Sequence, residues 1–215
     1  MKIRTVEQLV DRISQDLSWR KKELTVFRGQ VERAEHGVRP ALLRASVALL
    51  YAHWEGFVKN SCHYYLCYLA SLRLSYDELR PELAALSLRQ HLEMFEDSNK
   101  ASLHSSLVRT IRNDGGGRAK IPTDRDAVRT NSNLNWERLS EILCSVGCDF
   151  DRYSQYSDLI DEQLLASRNS IAHGEESYIA MSEWEALRGP VVEMMDDIST
   201  QISNSAIERG YLLNP

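Results

Sequence analysis

The segment SRNSIAHGE places Arg168, Asn169 and His173 within six residues. Imidazole gives and takes protons near neutral pH, and a guanidinium stays charged and matches two phosphate oxygens with parallel donors. Together they are suited to proton transfer beside a developing anion. On a helix, Asn169 and His173 are four apart and share a face. Gly174 lets the chain leave the helix just after His173, so the three polar groups can converge at its end. Arg168 lies four residues after Leu164 and three before Ile171, on the apolar stripe, where a guanidinium must find a partner. Spacing alone leaves plainer readings open: Arg168 as a carbonyl cap, an ion-pair member or a snorkelling side chain, and His173 as a complement to the helix dipole.

Other residues offer less. Glu55 and Lys59 have the spacing of an ordinary helix ion pair. Cys144 and Cys148 share a helix face and have Cys62 and Cys67 as further thiols, but the C-x2-C spacing of zinc sites is missing. No metal site is expected, and the four cysteines suit a reducing compartment. The three successive glycines before Arg118 lack the Gly-Lys-Ser/Thr of a phosphate-binding loop.

The elements that must hold these residues read as helices. Val6, Val10, Ile13, Leu17, Leu24, Phe27 and Val31 recur at threes and fours, missing only at Arg20, which predicts one long helix. Gly37 and Pro40 then suit a tight reversal, with Gly37 left-handed. The stretch from Ala41 to about Leu72 is apolar on nearly every side, as expected of a helix enclosed by others. Ser75 with Glu78 has capping-box spacing, and Pro81 opens a further helix reaching Met94 or Phe95. Residues 113–135 carry glycines, a proline and aperiodic charge, and read as a long loop or mobile excursion. Helical signal returns at Trp136, Leu139, Ile142, Leu143 and Val146, and again from Ser157 through Ile160, Leu164 and Ile171. A last helix, with Ser182 and Glu185 in capping-box spacing, is expected to kink at Gly189 and Pro190. With no repeat and no clear strand, the fold class is all-α: one helical bundle over residues 1–215, built on a long antiparallel helix pair, with the loop inserted.

Composition sets bounds on partners. The 215 residues hold 26 Lys and Arg against 31 Asp and Glu, a net charge of −5, which excludes a protein that coats nucleic acid non-specifically. The first 50 residues nevertheless carry ten bases against six acids, so the first hairpin is the basic end. Residues 158–185 carry seven acids and one base, Arg168. The charged amino terminus and the short apolar runs predict a cytoplasmic protein without export signal or membrane span.

The motif and its context resemble the HEPN domains. Arg168, Asn169 and His173 fit the R-x4-6-H signature, in which Asn commonly follows the Arg, and RASVALLYAHWEGFVKNSCHYYL resembles the long core helix of a bacterial HEPN group related to predicted ribonuclease toxins. The likeness runs from roughly Ala41 to Ile202 and is poorest over 113–135. It implies an all-α HEPN-like bundle and metal-independent cleavage of RNA at a homodimer interface, without cofactor. In that chemistry His173 is the general acid or base, Arg168 stabilises the phosphorane oxygens, and Asn169 orients His173 or binds phosphate. Products are a 2′,3′-cyclic phosphate and a 5′-hydroxyl. Glu55 falls where related sequences tend to carry an acid, and is a possible supporting residue for Arg168 or His173.

The resemblance further implies a toxin or phage-defence effector, with an antitoxin or defence-system protein as partner. One departure separates subtypes: HEPN toxins silenced by a nucleotidyltransferase usually have Tyr two residues after the His, and here Glu175 stands there, with Tyr178 too late. The alternative keeps the fold without the activity, as a nucleotide- or protein-binding module in a defence complex. A third reading is a helical dimerisation protein without ligand.

Overall fold

Thr5 starts the first helix: its backbone is extended and its hydroxyl accepts the Gln8 N–H. The helix, α1 (Val6–Arg33), buries Leu9, Ile13, Leu17, Leu24 and Val31 along one stripe. It ends at Ala34 in an extended conformation, and Gly37 does not adopt positive φ, contrary to expectation. The reversal is instead closed by Val38 and Arg39 N–H groups donating to the Glu35 carbonyl. Pro40 sits in the first turn of α2 (Arg39–Leu72). That helix buries residues on all sides, as its composition requires. The structure, a computed structural model, describes residues 2–96, 100–113 and 116–215.

The break in the α1 pattern at Arg20 has a physical cause. Arg20 is 5% exposed and its guanidinium donates to both Asp16 oxygens, at 2.8 and 3.3 Å, and to the His53 carbonyl of α2 at 3.2 Å. Asn60 and Trp19 also donate to Asp16, and His53 Nε2 lies 2.8 Å from Glu23. A charge that would be costly to bury alone is therefore paired and hydrogen-bonded. Gly56 makes the space, since a Cβ there would stand 2.8 Å from Arg20 Nη1.

Beyond α2, Ser75 and Glu78 do bond, but they close a turn, and helix α3 (Pro81–Glu96) begins later. It is followed by α4 (Ala101–Asn113). The segment 116–135 is not a free excursion. It contains a 3-10 turn at Arg125–Ala127 and buries Ala119, Ile121, Ala127, Val128 and Leu134 against the bundle. Helix α5 (Trp136–Ser145) ends at Gly147, which is left-handed. A 3-10 turn (Asp151–Tyr156) then leads into a π-helical stretch, Leu159–Leu165, that runs directly into α6 (Ala166–Ala172).

The last helix, α7 (Met181–Ile207), is continuous through Pro190. Its start is Ala180, whose N–H donates to Glu183, so the expected Ser182/Glu185 cap falls two residues late, with Ser182 already in the first turn. Helices α1, α2 and α7 pack together with the widest mutual contact. Trp54, Phe57, Tyr65 and Trp184 are fully enclosed, each contributing roughly 1.5–3 kcal/mol by leaving water. Among the described residues there is no β-strand beyond two isolated bridges, and no helix is long and apolar enough to cross a membrane.

Candidate active site

The π-helical turn sets the site. One extra residue per turn shifts the phase of the helix beyond it. Ile160, Leu164 and Leu165 are buried before it ends, while every residue of α6 is at least partly exposed. Arg168 therefore lies at the edge of the core, where the simple stripe placed it inside. The helix then closes in a Schellman arrangement, with Gly174 N–H donating to Ile171 O at 3.1 Å and Glu175 N–H to Ser170 O at 3.0 Å. Gly174 has φ +77°, a conformation that side chains disfavour. His173 is the last residue before it and its ring is exposed.

Arg168 is held on three sides. Its guanidinium carbon sits 4.0 Å from the centre of the Tyr51 ring of α2. Nη1 donates to Asn169 Oδ1 at 2.7 Å, and Nη2 donates to the Ser132 carbonyl in the loop before α5. Nε is buried without a hydrogen-bond partner. Asn169 thus orients Arg168 through its side chain, whereas its link to His173 is a backbone one, His173 N–H to Asn169 O at 2.9 Å. The three motif residues are gathered at one helix end, with the imidazole open to solvent and the guanidinium half-buried.

Three of the seven acids in residues 158–185 are engaged away from Arg168. Glu185 pairs with Arg28 and Arg188, Glu183 caps α7, and Asp161 accepts the Trp136 N–H. Among the described residues, none of the seven acids pairs with Arg168. On α2, Arg44 donates to the Glu175 carbonyl at 2.8 Å, which sets a second guanidinium against the loop following His173.

Glu55 does not behave as expected. Among the described residues it forms no ion pair with Lys59 and makes no hydrogen bond to Arg168 or His173. Its charge acts instead on Tyr51, whose hydroxyl is pushed above its ordinary range, mainly by burial and further by Glu55, with the Leu134 N–H and the Arg168 guanidinium opposing. The cysteines are structural: burial drives the Cys62 thiol strongly upward and that of Cys148 to about 12, so both stay protonated. Among the described residues no three His, Cys, Asp or Glu side chains form a metal-binding group.

Tyr51, Ser132, Leu134 and Arg44 were not singled out from the sequence. Arg44, Tyr51 and Glu55 recur at sevens and fours on α2, a polar stripe in an apolar helix that would have pointed to this face.

A helical bundle on a long hairpin, with an Arg-Asn-x3-His sequence closing a short late helix against the central one, defines a HEPN-type protein. The HEPN_MAE_28990-like HEPN family model matches residues 9–211, and the chain belongs to that family. No curated protein and no solved structure matches it.

Proposed function

We propose that the protein is a metal-independent endoribonuclease acting at the end of α6. The observation that carries this reading is an exposed imidazole at His173, at the end of the same short helix whose Arg168 guanidinium is held in place by Asn169 and Tyr51. A ribose 2′-hydroxyl attacks the adjacent phosphorus and forms a bond to it as the bond to the 5′ oxygen breaks. His173 transfers protons as general base or acid, and the guanidinium faces charge on the non-bridging oxygens. The nucleophile belongs to the substrate, and the products are a 2′,3′-cyclic phosphate and a 5′-hydroxyl.

A homodimer that juxtaposes two such helix ends doubles the positive charge at the cleft, and Arg44 adds to it. The biological setting proposed is a toxin or phage-defence effector in the cytoplasm, held in check by a partner protein. The test is labelled RNA in EDTA with wild type, Arg168→Ala and His173→Ala. Loss of the imidazole should slow cleavage by about 10² to 10⁴. Unchanged cleavage in folded variants refutes the site, and absence of cleavage by wild type leaves the non-catalytic binding module as the reading.

A further inference from the structure

Tyr51 makes two contacts with opposite ends of its side chain. Its ring carries the Arg168 guanidinium at 4.0 Å, and its hydroxyl accepts the buried Leu134 N–H at 2.6 Å. The loop so tethered returns to Arg168, because Ser132, two residues before Leu134, offers its carbonyl to Nη2. The contacts form a closed cycle of Tyr51, Leu134, Ser132 and Arg168. Tyr51 is 3% exposed and belongs to the most enclosed helix, so the cycle is anchored in rigid structure.

The backbone adds a second observation. Asn131 and Ser132 are consecutive non-glycine residues at positive φ, +52° and +54°. Such conformations persist only where surrounding contacts enforce them. Here they turn the Ser132 carbonyl toward Arg168, and the neighbouring Thr130 is buried at 3% exposure.

We infer that Tyr51 is a positioning residue, and that through it the 130–134 turn fixes the direction in which Arg168 presents its remaining N–H groups. This deepens the ribonuclease reading and rests on it for its effect on rate, but not for its effect on Arg168 itself. Tyr51 does not touch substrate. Its ring limits the guanidinium from one face, and its hydroxyl keeps the turn in register from the other side.

The experiment uses the full chain with Tyr51→Leu, which removes ring and hydroxyl, and Tyr51→Phe, which keeps the ring. Two readouts are taken: RNA cleavage kinetics, and the side-chain Nε–H NMR signal of Arg168, assigned by its loss in Arg168→Lys. Tyr51→Leu should lower kcat at least tenfold with a smaller change in KM, and should move the Arg168 signal and speed its exchange with water. Tyr51→Phe should give an intermediate rate and signal, as the turn slackens while the ring remains. If Tyr51→Leu does not fold, Tyr51→Phe decides: wild-type rate and signal in that variant overturn the tether. An unchanged Arg168 signal in folded Tyr51→Leu overturns the whole proposal. Should wild type fail to cleave RNA, the ribonuclease reading falls, while the NMR signal still tests the positioning.

Discussion

Gly56 and Gly189 both lie inside long helices, yet the surroundings give alanine unequal consequences. At Gly189 an added Cβ meets nothing within 4 Å beyond the chain neighbours, but the ring of Pro190 crowds the Cβ of a helical residue before it, which offsets the helix-propensity gain of up to about 1 kcal/mol, so Gly189→Ala should change stability little. At Gly56 the same methyl presses on Arg20, which is locked by Asp16 and His53, and overpacking of roughly 1–3 kcal/mol outweighs the propensity gain. Urea unfolding should show a clear loss for Gly56→Ala and little change for Gly189→Ala. His53 gives the network a pH dependence. Burial first, then Arg20, lowers its pKa below the ordinary 6.5, with Glu23 and Asp16 opposing from α1. A group with a depressed folded pKa binds its proton more readily when unfolded, so its contribution to stability is present above about 6.5 and is lost as pH falls through the folded value. His63, also lowered chiefly by burial, acts in the same direction. Unfolding free energies at pH 7.5 and 5.5 should fall with acidity in wild type and fall less in His53→Gln.

The turn before α5 holds residues in conformations their side chains disfavour. Ser132 at φ +54° is strained, so Ser132→Gly should be neutral or more stable by up to about 1 kcal/mol, while Ser132→Val should cost roughly 1–2 kcal/mol. Thermal unfolding distinguishes them, and equal losses in both would show that the hydroxyl matters more than the backbone. Gly174 is the corresponding point in α6. With φ +77° and both Schellman bonds dependent on it, Gly174→Ala should destabilise by about 1 kcal/mol and displace His173, seen as reduced cleavage despite an intact imidazole.

For the molecule as a whole, part of the basic first hairpin is held in ion pairs. Lys21 pairs with Asp196 at 2.9 Å, Arg28 with Glu32 and Glu185, and Arg20 with Asp16. Lys21 and Arg28 tie α1 to α7, while Arg20 and Arg28 also pair within α1. Under the proposed function, two phosphate contacts per site, from Arg168 and Arg44, would give a salt slope near −1.4 on single-stranded RNA, about a sevenfold loss of affinity from 50 to 200 mM salt. A loss of a thousandfold in an RNA-binding titration would mean that many more cations reach the backbone.

The helix content, the central position of α2, the stop at Gly174 and the motif itself could all be read along the chain, because hydrophobic period, left-handed glycine and residue order are local properties. Arg20 read as a miss in the pattern and Gly37 as a helix end, since neither a partner on another helix nor the actual backbone of a turn is visible in one dimension. The phase shift of the π-helical stretch, the docking of 116–135 on the bundle and the meeting of Tyr51, Ser132 and Arg168 were decided by tertiary structure. The last two depend on contacts between positions 36 to 117 residues apart, whose mutual fit no local spacing encodes, and the first on a backbone hydrogen-bond pattern that side-chain period does not reveal.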